Sequence, residues 1–332
     1  MIFLANVYTQ APRVIFAHMD HRTRNSRWDR TPVVDDGAKP AIAHLTERDI
    51  DIFKCLARHQ YLSSDYVHAF VRGDYKSLIH RLNLLSRKPN LYINRPPQQR
   101  QHAEANHRKL VYELDIRGAE TLRDRDIPVS KKKDHRNFAH ELMVCQVAAS
   151  MELGTIANSR IKLIRWPAIL ASDKLPDATR RLANPLSIPV GDHRKIPDGE
   201  PIVIVRQFEP TTFIFLVQEA DCGTEPIDAT DNDRSSIRRM FEDYLTIIEQ
   251  RTYHTHFGAN TFMVAIVTTN ETRMNSMMAL LERMHPGQSA RRFLFKHMPV
   301  FTSYQPSAPA TGHMLTEPWR RAGFPDFGLI AE

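Results

Sequence analysis

Three acidic residues flank two neighbouring apolar segments, where they could bind a metal ion. Glu219 and Asp221 follow the apolar segment 212–217, and Asp198 precedes the segment 201–208. If these segments are adjacent strands, their ends meet, and the alternation of a strand places Glu219 and Asp221 on one side of the sheet. Mg²⁺ prefers carboxylate oxygens and assists phosphodiester chemistry. The pattern predicts weak Mg²⁺ binding by Asp198, Glu219 and Asp221, the alternative being an acidic surface loop.

Other kinds of site find no support in the sequence. The three cysteines are scattered and odd in number, which fits neither a disulfide framework nor a zinc site. There is no phosphate-binding GxxxxGK[ST] loop, no GxSxG nucleophile turn and no GxGxxG fingerprint. No run of about 18 apolar residues occurs, and no basic region precedes the apolar N-terminus. We expect a cytoplasmic protein without a membrane span.

The positive charge of the chain is concentrated in one block. The chain has a formal net charge of +7. Residues 46–136 contain 19 Lys and Arg against 12 Asp and Glu, whereas residues 1–45 are near +2 and residues 137–332 near −2. A localised basic surface is typical of proteins that neutralise nucleic-acid phosphates, the alternative being a solvated basic surface.

The basic block contains the pattern of three helices followed by a hairpin. Thr46 and Ser63 or Ser64 are N-cap residues for the first two helices, and a third helix begins near residue 75. Leucines at positions 78, 82 and 85 share one face of that helix, so polar residues occupy the opposite face. Two short apolar segments, 91–93 and 110–114, enclose a basic loop. This order predicts a winged helix-turn-helix that binds double-stranded DNA, the alternative being a protein-docking module.

The side chains expected to contact DNA lie on the third helix, at its end and on the hairpin. They are Lys76, Ser77, His80, Arg81, Asn83, Arg87, Lys88, Arg95, Arg100, Arg108 and Lys109.

The second half alternates helical and strand-like segments and indicates an α/β domain with a central mixed sheet. The predicted organisation is a flexible arm (1–44), a winged helix-turn-helix (45–130), a basic linker (131–136), an α/β domain (137–300) and a C-terminal tail (301–332). Residues 291–295 are expected to form an edge strand. The fold class is therefore α+β.

Several motifs resemble the replication-relaxation proteins of plasmids and integrative elements. They are Leu45-Thr46-Glu47-Arg48-Asp49, the helix at 77–85, the segment 111–118, His140-Glu141-Leu142 and Glu219-Ala220-Asp221-Cys222-Gly223-Thr224-Glu225. The resemblance covers about residues 45–285, and the last motif is its most specific part. It implies a DNA-binding protein of a mobile element, active in plasmid replication or relaxase-dependent transfer.

The second half also resembles the PD-(D/E)xK nuclease core. Pro197-Asp198 and Glu219 match its acidic positions, but Asp221 stands where that core has lysine. A cationic group that stabilises developing negative charge is therefore missing, unless Lys195 or Arg206 supplies it. Pro176-Asp177 is a second match to the first acidic position. We therefore expect no nuclease activity.

The predicted function is that of a DNA-binding accessory protein of a plasmid or integrative element, acting in replication or in conjugative transfer. A metal-dependent DNA endonuclease and a transcription regulator are the alternatives. The expected partners are double-stranded DNA, a relaxase or replication proteins, and a second copy of the chain, because a single winged helix contacts only a short half-site.

Overall fold

The computed structural model of the protein describes residues 41–100, 109–129, 137–229, 236–303 and 305–331. Two predicted segments fall outside these ranges, namely the linker 131–136 and all but the last four residues of the arm 1–44. The structure is of mixed α and β type, as the sequence predicts, with a seven-stranded mixed sheet in its second half.

The N-terminal part of the described chain combines four helices with a small antiparallel sheet. Its helices are α1 (Glu47–His59), α2 (Ser64–Val71), α3 (Tyr75–Leu85) and α4 (Ile116–Arg123), and its strands are β1 (Leu62–Ser63), β2 (Ile93–Asn94) and β3 (Val111–Leu114). In the sheet β3 lies between β1 and β2 and is antiparallel to both. The predicted leucine face of α3 is confirmed, because Leu78, Leu82 and Leu85 are fully buried.

The larger part of the chain contains seven helices and nine strands among the described residues. The helices are α5 (Phe138–Ile156), α6 (Trp166–Ala171), α7 (Asp177–Arg180), α8 (Ile237–Glu249), α9 (Thr252–Phe257), α10 (Glu271–Met284) and α11 (His313–Thr316). The strands are β4 (Ile161–Ile164), β5 (Ile188–Val190), β6 (His193–Lys195), β7 (Gly199–Arg206), β8 (Thr212–Ala220), β9 (Met263–Thr268), β10 (Phe293–His297), β11 (Trp319–Arg321) and β12 (Phe324–Phe327).

Seven of these strands form one sheet in the order β12-β11-β10-β9-β8-β7-β4, while β5 and β6 form a separate hairpin. Strands β4, β7 and β8 are antiparallel neighbours, and β9 is parallel to β8. The predicted pairing of the two apolar segments before and after residue 210 is therefore confirmed. Because the two strands are antiparallel, the start of β7 lies beside the end of β8. We call this end of the two strands the sheet edge.

Helices cover both faces of the large sheet, and alternation along β8 separates two cores. Phe215 and Val217 point to the core formed with α6, α8, α9 and α10. Ile214 and Leu216 point to the opposite core, formed with α5 and α11. Glu219 has the parity of Val217, so the strand geometry aims it at α8.

Helix α5 is 19 residues long and buries side chains on more than one side. Met143 and Val147 belong to the core beneath the sheet, whereas the Phe138 ring lies 5.4 Å from that of Tyr61 in the N-terminal part. Although α5 is rich in apolar residues, no helix in the part of the chain that the structure describes is long and apolar enough to cross a membrane.

The structure corrects two expectations about the C-terminal region. Residues 301–332, expected to be a tail, contribute α11 and the strands β11 and β12, which extend the large sheet. Consequently β10 is an interior strand between β9 and β11 and does not form an edge. The segment contains few apolar residues at strand spacing, but Trp319 is fully buried and its Nε1–H donates to the Met314 carbonyl at 2.8 Å.

Replacing Trp319 tests whether the C-terminal segment is integral to the fold. We expect Trp319→Ala to lower the free energy of unfolding by about 3–5 kcal/mol, because it leaves a large cavity between the sheet and α11. Urea unfolding measures this change. The neighbouring variant Arg320→Ala, at an exposed position, is the control and should change stability by less than about 0.5 kcal/mol. A loss below about 1 kcal/mol in Trp319→Ala would show that the segment is only loosely attached.

Candidate functional site

The outward side of α3 is exposed only over its N-terminal half. Lys76, Ser77 and His80 are exposed and lie opposite the buried leucines. The side chain of Asp74 caps the helix by accepting the Ser77 backbone N–H at 2.6 Å. We call Lys76, Ser77 and His80 the reading face. Its residue types can donate hydrogen bonds to base edges and phosphates.

The C-terminal half of α3 contacts the β2–β3 hairpin. Asn83 accepts a hydrogen bond from the Arg95 guanidinium, which also lies 5.7 Å from the centre of the Tyr112 ring. Arg87 is half-buried, and this burial together with nearby Arg95 lowers its pKa. The predicted row of polar residues is therefore divided, and its second half packs the hairpin onto the helix.

Arg81 was predicted to contact DNA, but the structure pairs it with Asp49 on α1. Arg81 Nε and Nη2 lie 2.7 and 2.6 Å from the two carboxylate oxygens of Asp49, which is buried. The backbone N–H and hydroxyl of Thr46 donate to the same carboxylate. Burial alone would raise the pKa of Asp49, but hydrogen bonds from Arg81 and Thr46 hold it below its usual value. Arg81 therefore positions α3 relative to α1.

The remaining predicted basic residues are described in part. Lys88 is exposed just after α3. Lys109 is exposed before β3, and its Nζ lies 5.1 Å from the centre of the Tyr75 ring at the start of α3. The Arg100 side chain and Arg108 fall outside the described residues. Lys88 and Lys109 therefore flank the reading face on the connections at the end of α3 and before β3.

At the end of β8, Asp221 forms a network that holds the neighbouring loop in place. Arg273 Nη2, on α10, lies 2.8 Å from Asp221 Oδ1, and the same nitrogen donates to the Glu225 carbonyl. The Thr268 hydroxyl donates to Oδ2, and the Gly223 backbone N–H donates to Oδ1. The Glu-x-Asp-x-Gly-Thr-Glu motif therefore uses its aspartate to join the end of β8 to β9 and α10.

Asp198, before β7, is paired with a histidine of α5. His140 Nε2 lies 3.1 Å from Asp198 Oδ2, which also accepts the Ala220 backbone N–H at 2.9 Å. Hydrogen bonds to Asp198 and Glu141 raise the pKa of His140 to about 10, so this imidazole is protonated at neutral pH. Asp198 and His140 form an ion pair that joins α5 to the edge of the sheet.

Glu219 is buried and has two partners on the α8 side of the sheet. The Lys195 ammonium, on β6, lies 2.9 Å from Oε2, and the Tyr244 hydroxyl donates to Oε1 at 2.5 Å. Burial and the nearby Asp198 raise the pKa of Glu219 to about 7, although Lys195 and Tyr244 oppose this shift. Burial would lower the pKa of Lys195, but the nearby carboxylates of Glu219 and Asp198 raise it above its usual value.

The three acidic residues predicted to bind one Mg²⁺ do not gather around a common point. Glu219 and Asp221 lie on the same face, as predicted, but they contact different helices, and Asp198 contacts α5. Among the described residues there is no group of three or more His, Cys, Asp or Glu that could hold a metal ion. The donor set therefore does not fit a resident Mg²⁺ ion. We call Asp198, Glu219, His140, Lys195 and Tyr244 the strand-end network.

The sequence gives partial signals for the partners that the structure reveals. Lys195 stands three residues before Asp198 and does reach Glu219, whereas Arg206 donates to Thr212 and to the Ala331 carbonyl. For His140 the only signal in the sequence is its place in the His140-Glu141-Leu142 motif. Tyr244 and Arg273 lie far from the acidic residues in sequence, so only the tertiary structure identifies their roles.

Comparison with known proteins gives one family match. The model of the family described as Replication-relaxation matches residues 53–262, which is more than half of the chain. The matched region contains α2 and α3, the small sheet and the acidic residues at the sheet edge. No curated protein and no solved structure matches the chain significantly.

Replacing Arg81 tests its role in positioning α3. We expect Arg81→Met to lower the free energy of unfolding by about 3–5 kcal/mol, because it leaves the buried Asp49 carboxylate without its cation. Urea unfolding measures the change, and Lys76→Met, at an exposed position of the same helix, should stay within about 0.5 kcal/mol of the wild type. If Arg81→Met were as stable as Lys76→Met, the ion pair would not position the helix.

Proposed function

The chain belongs to the replication-relaxation family, and we propose that it binds double-stranded DNA through a winged helix-turn-helix at residues 45–130. The observation that carries this proposal is the exposed reading face on α3, opposite the three leucines that pack that helix on its neighbours. In proteins of this class, N-terminal residues of the recognition helix contact base edges in the major groove. Lys76, Ser77 and His80 occupy that part of α3.

The order of elements supports the same proposal. The elements follow one another in the order α1, β1, α2, α3 and the hairpin β2–β3. In the small sheet, β3 is the central strand and β1 pairs with it on the side away from β2. Here Asn83 and Arg95 fix that hairpin, so the hairpin and α3 are presented together.

The charges around the reading face suit a phosphate backbone. Lys109 is exposed close to Tyr75 at the start of α3, Lys88 is exposed just after the end of that helix, and residues 46–136 carry most of the net positive charge of the chain. Contacts of lysine and arginine with phosphates position a protein on DNA, while contacts with bases give sequence selectivity. We assign the first role to Lys88 and Lys109 and the second to Lys76, Ser77 and His80.

We further propose that the protein acts as an accessory factor in replication or in relaxase-dependent transfer of a mobile element. The family assignment supports this role. A second copy of the chain would extend the contacted site, and a relaxase or a replication protein would be the partner on DNA. Footprinting on DNA from the neighbourhood of its own gene separates the roles, because protection at a transfer or replication origin indicates an accessory factor and protection at a promoter indicates a repressor.

A metal-dependent nuclease is the second candidate function. With α6, α7, β5, β6 and α9 set aside as insertions, the order α5-β4-β7-β8-α8-β9 has three antiparallel strands followed by a parallel one, which supports a nuclease-like core. In the PD-(D/E)xK core a lysine stands two residues after the second acidic position, and this chain has Asp221 there. Lys195 supplies a cation from another strand instead, 2.9 Å from Glu219. Incubation with supercoiled DNA and Mg²⁺ or Mn²⁺ tests this function. Nicking that is lost in Glu219→Ala would establish it, and we expect none.

Base contact by the reading face predicts a selective loss of affinity. We expect His80→Ala to weaken binding to the cognate site by about 1–3 kcal/mol while changing binding to random DNA much less, because a good base contact gives this much discrimination. Fluorescence anisotropy with the two DNAs at one salt concentration measures the difference. Lys162→Ala, an exposed basic position on β4, is the control. Equal losses on both DNAs would assign α3 a backbone contact only.

Phosphate contact by the flanking lysines predicts a change in salt dependence. We expect Lys88→Ala with Lys109→Ala to weaken binding to all sequences and to reduce the slope of log K against log salt by about 1 for each lost contact, because fewer counterions are released. Titrations between 50 and 200 mM salt, roughly the range over which such contacts are resolved, provide the slope. A slope equal to that of the wild type would place both lysines away from DNA.

A further inference from the structure

Each carboxylate at the centre of the strand-end network has a basic side chain of the protein as its partner. His140 Nε2 lies 3.1 Å from Asp198 Oδ2, and the Lys195 ammonium lies 2.9 Å from Glu219 Oε2. The two Glu219 oxygens are each engaged, Oε2 by the Lys195 ammonium and Oε1 by the Tyr244 hydroxyl. A divalent cation bound to these oxygens would have to displace a hydrogen-bond donor and would lie within a few ångströms of an ammonium group.

Lys195 is held in this position by the hairpin that carries it. Ile188 and Val190 on β5 are buried in the core with α8 and α9. On β6, His193 Nε2 lies 2.8 Å from Asp243 of α8, and the Lys195 ammonium lies 5.3 Å from the centre of the Tyr244 ring. The hairpin is therefore fixed to α8 ahead of the lysine, and Lys195 is not an extended surface side chain.

Burial makes such a cation necessary. Glu219 is buried and close to the partly buried Asp198, and a buried carboxylate near a second one strongly disfavours ionisation unless a positive charge compensates it. A metal ion is one means of compensation. An ammonium and an imidazolium supplied by the protein are another, and they need no ligand from solution.

We propose that Lys195 and His140 take the place of a divalent metal ion at this edge of the sheet, so that the strand-end network is a metal-free, internally compensated site. The nuclease-like order of strands is then retained as a scaffold. The same carboxylates would become a metal site if Lys195 were removed, because Asp198 and Glu219 would lose part of their compensation. This inference does not depend on DNA binding by α3.

Thermal unfolding with and without metal tests the proposal on the full chain. With EDTA, Mg²⁺ or Mn²⁺ at millimolar concentration, the melting temperature of the wild type should stay within about 1 °C. Lys195→Gln should melt at a lower temperature in EDTA and recover by about 3 °C or more in Mn²⁺, the size of shift that ligand binding at roughly 40 times its Kd gives in a chain of this length. Addition of Glu219→Gln to that variant should abolish the Mn²⁺ effect.

The control variant is Arg194→Ala, on the same strand. Arg194 is exposed and its guanidinium donates to the Ser187 hydroxyl and carbonyl, so this variant should show no response to Mn²⁺. A folded Lys195→Gln that does not respond to Mn²⁺ would overturn the proposal.

Direct Mn²⁺ binding to the wild type provides a readout that does not require any variant at position 195 to fold. We expect electron paramagnetic resonance to detect as much free Mn²⁺ with the wild type as with Glu219→Gln. Bound Mn²⁺ that disappears in Glu219→Gln would overturn the proposal and would support a metal site of the wild-type protein.

Discussion

Helix α5 has to bury several sides at once, and the arrangement of the whole described chain depends on how it does so. One side packs Met143 and Val147 beneath the sheet, and its N-terminal Phe138 contacts Tyr61 of the N-terminal part and Phe301 of the C-terminal segment. Near its end, a Cβ at Gly154 would lie 2.7 Å from Leu315 Cβ, so only glycine permits α11 to approach this closely. His140 on the same helix reaches Asp198. A helix with so many contacts cannot show a simple polar and apolar face.

The second constraint is a charged junction between α5 and the N-terminal part. Glu152 of α5 accepts hydrogen bonds from Arg58 and Arg165, and His59 Nε2 lies 3.1 Å from it. Burial, together with the two arginines, lowers the pKa of His59 to about 4, although Glu152 opposes this shift, so His59 is neutral at physiological pH. Arg165 also donates to the Arg58 carbonyl. The end of α1 is thereby fixed to α5, and α3 is in turn held on α1 by the pair of Arg81 with Asp49.

Sequence patterns identified the elements that have strong local signals. Helix α10 has such a signal, because Asn270 caps it and apolar residues recur along it at helical spacing. Strand β1 has only two residues, too few for alternation to be visible. The β5–β6 hairpin was missed because Pro189 disfavours a strand assignment, although Gly191-Asp192 at its turn is a recognised hairpin signal. Strands β11 and β12 carry no clear strand pattern in the sequence, since each is short and β11 pairs with β10 and with β12 over only a few residues.

The roles of charged side chains were less predictable than the elements, and the reason is physical. Lys76, Arg81 and Lys195 are all basic residues near a predicted site, yet one is exposed, one binds a buried aspartate of α1 and one binds a buried glutamate of β8. Residue type determines what a side chain can bind, whereas burial and the nearest opposite charge determine what it does bind. A buried carboxylate recruits a cation from any element within reach, because an uncompensated charge in the interior costs several kcal/mol. A local sequence pattern cannot identify that element, since Asp49 and Arg81 are 32 residues apart and Lys195 and Glu219 are 24 residues apart.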